Sequence, residues 1–324
     1  MIWPGRRWIA EAFSLLLSLL VLAAGGFYTF VGIFNLPRPG FALSSRWVVT
    51  SLDVCANPAV GCPLSPDPVR PGDQVVRIGS LTYDQYRSDY SATPFAGFVA
   101  GDIVPLQLIR DGRERQTTWQ MPVPSGVVYW LGAAPTLVFL PFWLAGTTVL
   151  VFMRPRNRLW LALVITNYAL ALWTVTGANS SYQAFWATYV YIATSWILPP
   201  AYIRLHRQML GLHSRLAQIG QGLLDMACVL LAGLTLLHLA SPSLCAYAVG
   251  ITALAGLALL LARRRAGQPA ARQAARLMIA ANLLAFGPGM LVLSRCLRWP
   301  SGRSAMSTRP TAPPWGRSNS GPTG

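Results

Sequence analysis

Long apolar runs alternate with short polar connections along most of the chain. Seven such runs lie at about residues 8–34, 127–153, 159–178, 185–203, 221–240, 244–262 and 277–297. Each is close to the roughly 20 residues that an α-helix needs to cross the ~30 Å hydrocarbon core of a bilayer. The pattern therefore predicts a membrane protein whose main part is a block of about seven transmembrane helices.

One longer segment, residues 36–126, has a different pattern of short alternating strands and tight turns. Strand-like residues occur at 46–52, at 74–78 and on both sides of Asp111-Gly112, a dipeptide typical of hairpin turns. Residues 82–89 have room for one short helix. The segment therefore predicts a small β-rich soluble domain inserted between the first apolar run and the other six.

Charge distribution adds a topology to this picture. The chain is 53% hydrophobic and only 11% charged, and its 26 basic residues, all arginine, give a net charge of +16. Arginine clusters occupy alternate connections, at 6–7, 154–158, 204–215 and 263–276. This is the positive-inside pattern, so we expect a cytoplasmic N-terminus and an extracytoplasmic 36–126 segment. The charge thus indicates membrane topology, and no nucleic-acid partner is expected.

These patterns divide the chain into four parts. We expect an N-terminal transmembrane anchor at 1–35, the inserted domain at 36–126, a block of six helices at 127–297 and a polar, disordered tail at 298–324. A signal peptide is the alternative for the anchor. Seven crossings that start in the cytoplasm would leave this arginine-bearing tail outside it, against the positive-inside pattern. Either the run 277–297 does not cross, or, as we favour, the tail is truncated or out-of-frame sequence that replaces an eighth helix.

One cytoplasmic connection, residues 204–219, is more than a loop. Its apolar residues fall on one helical face and its arginines elsewhere, which predicts a basic amphipathic helix on the membrane surface or, alternatively, a partner-docking helix. His206 and His213 would then be membrane-surface histidines. Asp225, the only acid in the last six runs, would lie in the first turn of the next helix, near the interface.

The turns of the inserted segment resemble those of a bacterial PDZ domain over about residues 38–122. The resemblance is carried by Pro71, Gly72, Asp73, Gly79, Gly101, Asp102, Asp111 and Gly112. It implies a small barrel-like sheet with one helix, in which a peptide adds as a strand beside an edge. Backbone N–H groups of a glycine-containing loop would hold the peptide's terminal carboxylate. By position, that loop is Gly40, Phe41, Ala42 and Leu43.

Two cysteines, Cys55 and Cys62, lie in an insertion before the Pro71-Gly72-Asp73 turn. On the extracytoplasmic side they are candidates for a disulfide. Free or metal-bound thiols are the alternative, although no histidine accompanies them. The other cysteines, Cys228, Cys245 and Cys296, are interpreted as packing residues within or beside apolar runs.

Catalytic patterns are not found in the sequence. It has three histidines, and none lies in a zinc-protease motif. Paired membrane aspartates, an activated serine and a phosphate-binding glycine loop are also missing. We therefore expect no enzyme activity, no cofactor and no metal site in this chain.

An anchor helix, an extracytoplasmic PDZ-like domain and a multi-helix block resemble the input half of polytopic bacterial histidine kinases of the competence and quorum-sensing type. The kinase motifs themselves are not present. The resemblance implies a multi-pass sensor in the bacterial inner membrane, truncated before its kinase, with the lipid bilayer, a second copy of the chain and a cytoplasmic output domain as partners. The alternative is a membrane scaffold or protease adaptor that binds C-terminal peptides of exported proteins.

Overall fold

The computed structural model describes residues 4–44, 46–52, 68–123, 126–154, 156–211 and 214–266, together with Arg276. Most of this part of the chain is helical. The long helices are α1 (Pro4–Phe30), α3 (Gly126–Leu137), α4 (Phe139–Phe152), α5 (Arg158–Ser180), α6 (Ala187–Met209), α7 (Arg215–Leu236) and α8 (Ser243–Ala266). A π-helical turn, Val31–Asn35, continues α1. Helices α1 and α3–α8 are called the helix block below.

Five segments of the helix block are long and apolar enough to cross a membrane: Leu15–Asn35, Ala134–Phe152, Arg158–Ser180, Arg215–Leu236 and Ser243–Leu261. This confirms the prediction of membrane-type helices, but seven spans are not confirmed. The predicted run 185–203 forms α6, which does not reach the same hydropathy. The run 277–297 and the tail 298–324 lie outside the described residues.

Helix α6 lies inside the helix block, against α5, α7 and α8. Its buried residues include polar ones, among them Thr194 and Ser195. Ser195 accepts a hydrogen bond from the indole of Trp173 on α5 (2.9 Å). Because protein covers most of this helix, its sequence can be more polar than that of a helix facing lipid.

The predicted run 127–153 is broken at Val138, where α3 ends and α4 begins. Pro135 lies inside α3 and Pro141 lies in the first turn of α4. Each proline lacks a backbone N–H and its ring crowds the carbonyl four residues earlier, which kinks a helix. The break therefore follows from the two prolines.

Close packing holds α4 against α5. A Cβ atom at Gly146 would lie 2.7 Å from the ring of Tyr168, so only glycine allows this approach. The Thr147 hydroxyl beside it hydrogen-bonds to Ser18 (2.8 Å) and to Tyr168 (3.1 Å). These bonds connect α1, α4 and α5 at one level of the block.

The prediction of one amphipathic helix over residues 204–219 is wrong. Its first part ends α6, and the chain turns at Gly211, whose φ is 67°. Ser214 then caps α7 by accepting a hydrogen bond from the Ala217 N–H (3.2 Å). A glycine inside the periodic pattern is what permits this left-handed turn.

Two further expectations for this region are corrected. His206 is not a membrane-surface residue, since it is 1% exposed and its Nδ1 lies 2.8 Å from the Tyr202 carbonyl oxygen. Asp225 does not lie in a first turn, because α7 begins at Arg215 and places Asp225 about three turns further on. His213 lies outside the described residues.

The inserted segment forms the β-rich unit that the sequence predicts, called the module below. Its elements are β1 (Phe41–Leu43), β2 (Val49–Leu52), β3 (Gln74–Ile78), β4 (Leu81–Thr82), α2 (Tyr83–Ser88), β5 (Ile103–Arg110) and β6 (Arg113–Gln120). Strands β1 and β2 form one antiparallel pair, and the other strands form an antiparallel sheet in the order β4-β3-β5-β6. A bridge between Val48 and Gln74 joins the two sheets.

The β5–β6 hairpin confirms the turn predicted at Asp111-Gly112. Both residues have left-handed φ angles, 52° and 74°, as the tightest hairpin turns require. The short helix predicted at 82–89 is also confirmed as α2. Thr82 caps it by accepting from the Gln85 N–H (3.2 Å), and the Gln85 side chain accepts from the Thr82 N–H (2.9 Å).

The module has its own apolar core. Its buried members are Phe41, Trp47, Val49, Val69, Val75, Ile78, Phe95, Val104, Leu106, Leu108, Trp119 and Met121. The Trp119 indole donates to the Pro39 carbonyl (2.6 Å), and the Phe41 ring packs edge-on against it at 5.1 Å between ring centres. The chain entering the module from α1 is thereby fixed to the last strand.

Candidate ligand-binding cleft

A cleft of about 1180 Å³ lies between the module and the helix block. Strand β1, the turn that follows it and helix α2 form the module's wall. Residues 180–183, where α5 is joined to α6, and residues 238–243, where α7 is joined to α8, form much of the opposite wall. A molecule in this cleft would contact both parts of the protein.

Two hydrogen bonds of Tyr86, on α2, fix the module to the helix block. The Tyr86 hydroxyl donates to the Ser181 carbonyl (2.8 Å), and the Gln183 side-chain amide donates to the Tyr86 carbonyl (3.0 Å). Burial raises the pKa of Tyr86 to about 12, so its hydroxyl keeps its proton at neutral pH. Helix α2 is thus tied to the α5–α6 connection through both its side chain and its backbone.

Tyr90, just after α2, makes the second attachment. Its ring lies 3.9 Å from the His238 ring and 5.5 Å from the Tyr189 ring, measured between ring centres. Tyr90 is 4% exposed and belongs to an apolar cluster with Ile192 and Trp196 of α6. We call the interactions of Tyr86 and Tyr90 with Ser181, Gln183, Tyr189 and His238 the docking contact.

The docking contact lies at one end of the helix block. The connections at 181–186 and 237–242 lie at the same end of the helix block as the module. Which side of the membrane this end faces stays a prediction.

Backbone strain is concentrated at the cleft. Among the described non-glycine residues, those with left-handed φ angles are Trp47, Phe95, Asp111, Gln183, Phe185, Trp186 and His238. Four of them, Trp47, Phe95, Gln183 and His238, line the cleft, and Phe185 and Trp186 lie two and three residues after Gln183. Such conformations cost about 1–3 kcal/mol each and persist where surrounding packing fixes them, often at functional sites.

The cleft carries positive charge, and the described residues that line it supply no counter-charge. Arg46 and Arg87 line it, and none of its described lining residues is acidic. Neither arginine forms an ion pair within the described part of the chain. The Arg87 guanidinium lies 5.8 Å from the centre of the Tyr83 ring. This arrangement favours a ligand with a negative group.

The predicted peptide-binding loop has a different structure from the one expected. Phe41, Ala42 and Leu43 form strand β1 rather than a loop, and Gly40, with φ 75°, precedes it. The Phe41 side chain is 4% exposed and packs into the module core, so only part of this segment is available to a ligand. All three strand residues nevertheless line the cleft. Peptide binding there stays a prediction.

The residues of the PDZ-like signature form turns and contacts within the module, and none of them lines the cleft. Gly72, Gly79, Gly101 and Gly112 lie in turns with left-handed φ angles. Asp102 accepts a hydrogen bond from the Val99 N–H (2.8 Å). Asp73, in the Pro71-Gly72-Asp73 turn, is 2% exposed and forms a two-bond ion pair with Arg110 at the end of β5, both bonds 2.7 Å long.

The cysteine predictions are tested only in part. Cys55 and Cys62, the disulfide candidates, lie outside the described residues, as does Cys296. Cys228 and Cys245 are buried and unpaired with each other, in the same apolar cluster as Tyr90. Within the described ranges, no three His, Cys, Asp or Glu side chains are placed to hold a metal ion.

A polar cluster that sequence reasoning missed joins α6 to α7 at the end away from the module. Arg204 pairs with Asp225 (2.5 Å), and the Gln221 amide donates to Asp225 (2.8 Å) and to the Pro200 carbonyl (3.0 Å). Arg207 donates to Gln221 (3.3 Å). The turn at Gly211 brings these residues together, so their spacing along the sequence did not reveal the cluster.

Compared with protein-family models, with curated proteins and with solved structures, the chain has no match.

Proposed function

We propose that the protein is a membrane sensor whose ligand binds in the cleft and whose helix block carries the signal across the membrane. One observation supports this most. Helix α2 lines the cleft and also makes the docking contact through Tyr86. A ligand that moves α2 therefore acts directly on the helix block.

Helix α6 is the proposed transmitting element. It begins beside the docking contact and runs for 23 residues, which at about 1.5 Å per residue is enough to cross the bilayer. Pro199 and Pro200 interrupt its backbone hydrogen bonding and provide a place for bending. At its far end Arg204 pairs with Asp225 of α7, so a shift of α6 would change that pair as well.

The recipient of the signal would lie in the cytoplasm. The resemblance in arrangement to the input half of polytopic histidine kinases favours a kinase or another output domain, acting on a homodimer of this chain. In this proposal the chain itself performs no catalysis.

Transmission can be tested before any ligand is known. The full chain in nanodiscs is compared with a Tyr86→Phe/Tyr90→Ala variant by hydrogen exchange of residues 204–211, at the far end of α6. We expect faster exchange there in the variant, because the docked end of α6 loses its restraint. Tyr247→Ala, on an exposed face of α8, is the control. Unchanged exchange at 204–211 would mean that the module and α6 are not coupled.

A membrane adaptor that captures C-terminal peptides is the second candidate. It is favoured by β1, which pairs only with β2 among the described strands and lines the cleft, so a peptide could add beside it. Binding of peptides by the full chain, with free and with amidated C-termini, separates the candidates. A requirement for the free carboxylate, without an effect on exchange at 204–211, would favour the adaptor.

A further inference from the structure

The cleft lies at the level where the membrane-type helices end. The spans Arg158–Ser180 and Arg215–Leu236 end beside it, and Ser243–Leu261 begins there. Ser180 and Ser243 themselves line the cleft. The helix block therefore places the cleft at the membrane–water interface.

Exposed apolar side chains lie in and beside the connections that line the cleft at this level. Leu239 lines the cleft and is 73% exposed, and neighbouring Leu237 is 69% exposed. Phe185 and Trp186, in the adjoining connection, are 52% and 65% exposed. Aromatic side chains of this kind concentrate where a membrane protein meets the head-group layer. These exposed side chains could contact lipid beside the cleft.

Two arginines of the module, Arg46 and Arg87, line the same cleft as Leu239. The Trp47 ring packs on Tyr83 (5.6 Å) and Tyr86 (5.0 Å), so the turn that carries Arg46 lies beside the helix that carries Arg87. Both arginines line the cleft, and its described lining contains no acid. Arginine pairs readily with phosphate groups, because its guanidinium presents several N–H donors in one plane.

We propose that the cleft binds an anionic phospholipid from the leaflet on the module's side. The head-group phosphate lies between Arg46 and Arg87, and the acyl chains leave the cleft past Leu239 into the bilayer. This inference rests on the proposed function only in that it names the ligand of the same cleft. Lipid occupancy would make the docking contact sensitive to the composition of the membrane.

The test measures lipid retention by the full chain. Protein reconstituted in nanodiscs of phosphatidylcholine and phosphatidylglycerol is released in the mass spectrometer, and the bound lipids are counted. We expect a phosphatidylglycerol that remains bound to the wild-type protein. Arg46→Gln/Arg87→Gln should weaken its retention roughly 25-fold, since an arginine near an anionic surface contributes about fivefold.

A matched control separates a site from general surface charge. Arg77→Gln/Arg113→Gln removes two exposed arginines, Arg77 on β3 and Arg113 on β6, both outside the cleft lining. It should leave the retained lipid unchanged. Equal losses in the two double variants, or no loss in either, would overturn the proposal.

Two soluble probes identify the ligand's source. Glycerophosphate, which has the head group without the chains, should not displace the lipid. Displacement by glycerophosphate, or by a peptide with a free C-terminal carboxylate, would overturn the lipid assignment. Because the exchange experiment on Tyr86 and Tyr90 needs no ligand, a failure here with coupling intact would reject the ligand and leave the proposed function standing.

Discussion

Replacement of Asp73 tests whether the Pro71-Gly72-Asp73 turn holds the module together. The Asp73 carboxylate is 2% exposed and accepts from the Arg110 guanidinium twice and from the Arg70 N–H, each at 2.7 Å. Arg110 is itself only 10% exposed. Asp73→Asn would remove the carboxylate charge from this buried ion pair, and loss of one partner of a buried pair costs about 3–5 kcal/mol. That is a large part of the roughly 5–15 kcal/mol by which a domain is stable.

The assay is hydrogen exchange of β3 and β5 amides in the full chain, in nanodiscs. A loss of about 3 kcal/mol should speed their exchange by roughly 100-fold or more if they exchange by unfolding of the module. Glu114→Gln, on the exposed face of β6, should have little effect. The double variant Asp73→Asn/Arg110→Gln should lose less than the sum of its single changes, because both changes remove the same ion pair. Equal exchange in Asp73→Asn and Glu114→Gln would refute the reasoning.

Two other predictions concern the helix block and the docking contact. Gly146→Ala should lower the stability of the helix block by about 1–3 kcal/mol in thermal unfolding, because its Cβ would overlap Tyr168, whereas Gly220→Ala, with open space around it, should be neutral or stabilising. The Tyr86 pKa of about 12 lies above the ordinary value of 10.0, so the stabilisation from its neutral hydroxyl should be complete below pH 10 and lost as the pH rises through 12. Docking is measured by the rate of limited proteolysis at the segments that join the module to the helix block, as a function of pH. Tyr86→Phe should remove the loss of docking at alkaline pH. An identical pH profile in the variant would show that Tyr86 is not the titrating group.

The sequence predicted those elements whose own periodicity determines them. Long apolar runs became helices because each must bury or shield its backbone polar groups, and Asp111-Gly112 became a hairpin turn because both positions have left-handed φ angles. For the short helix α2 the sequence predicted only that residues 82–89 have room for a helix, and the capping residues Thr82 and Gln85 explain why it forms there. These signals are local, so a single sequence contains them.

Features that depend on contacts between distant residues were missed. The turn at Gly211 divides a pattern that reads as one amphipathic helix, which leaves Leu205 7% exposed and Leu216 83% exposed. In the sequence, Tyr86 and Tyr90 look like ordinary surface aromatic residues. Their contacts, from Tyr86 to Ser181 and from Tyr90 to His238, join residues roughly a hundred or more positions apart. Arg46 and Arg87, which have no ion-pair partner among the described residues, likewise could not be assigned to one cleft from the sequence, because the cleft forms between distant segments.

Photo-crosslinking from position 90 tests the central claim most directly, because everything proposed depends on the module being seated on the helix block. A benzophenone amino acid replaces Tyr90 in the full chain in membranes, and crosslinked peptides are identified by mass spectrometry. The docking contact predicts crosslinks to the region of Tyr189 and His238, whereas the same group at Glu114 should give none there. Absence of these crosslinks from position 90, or equal yields from both positions, would contradict the account.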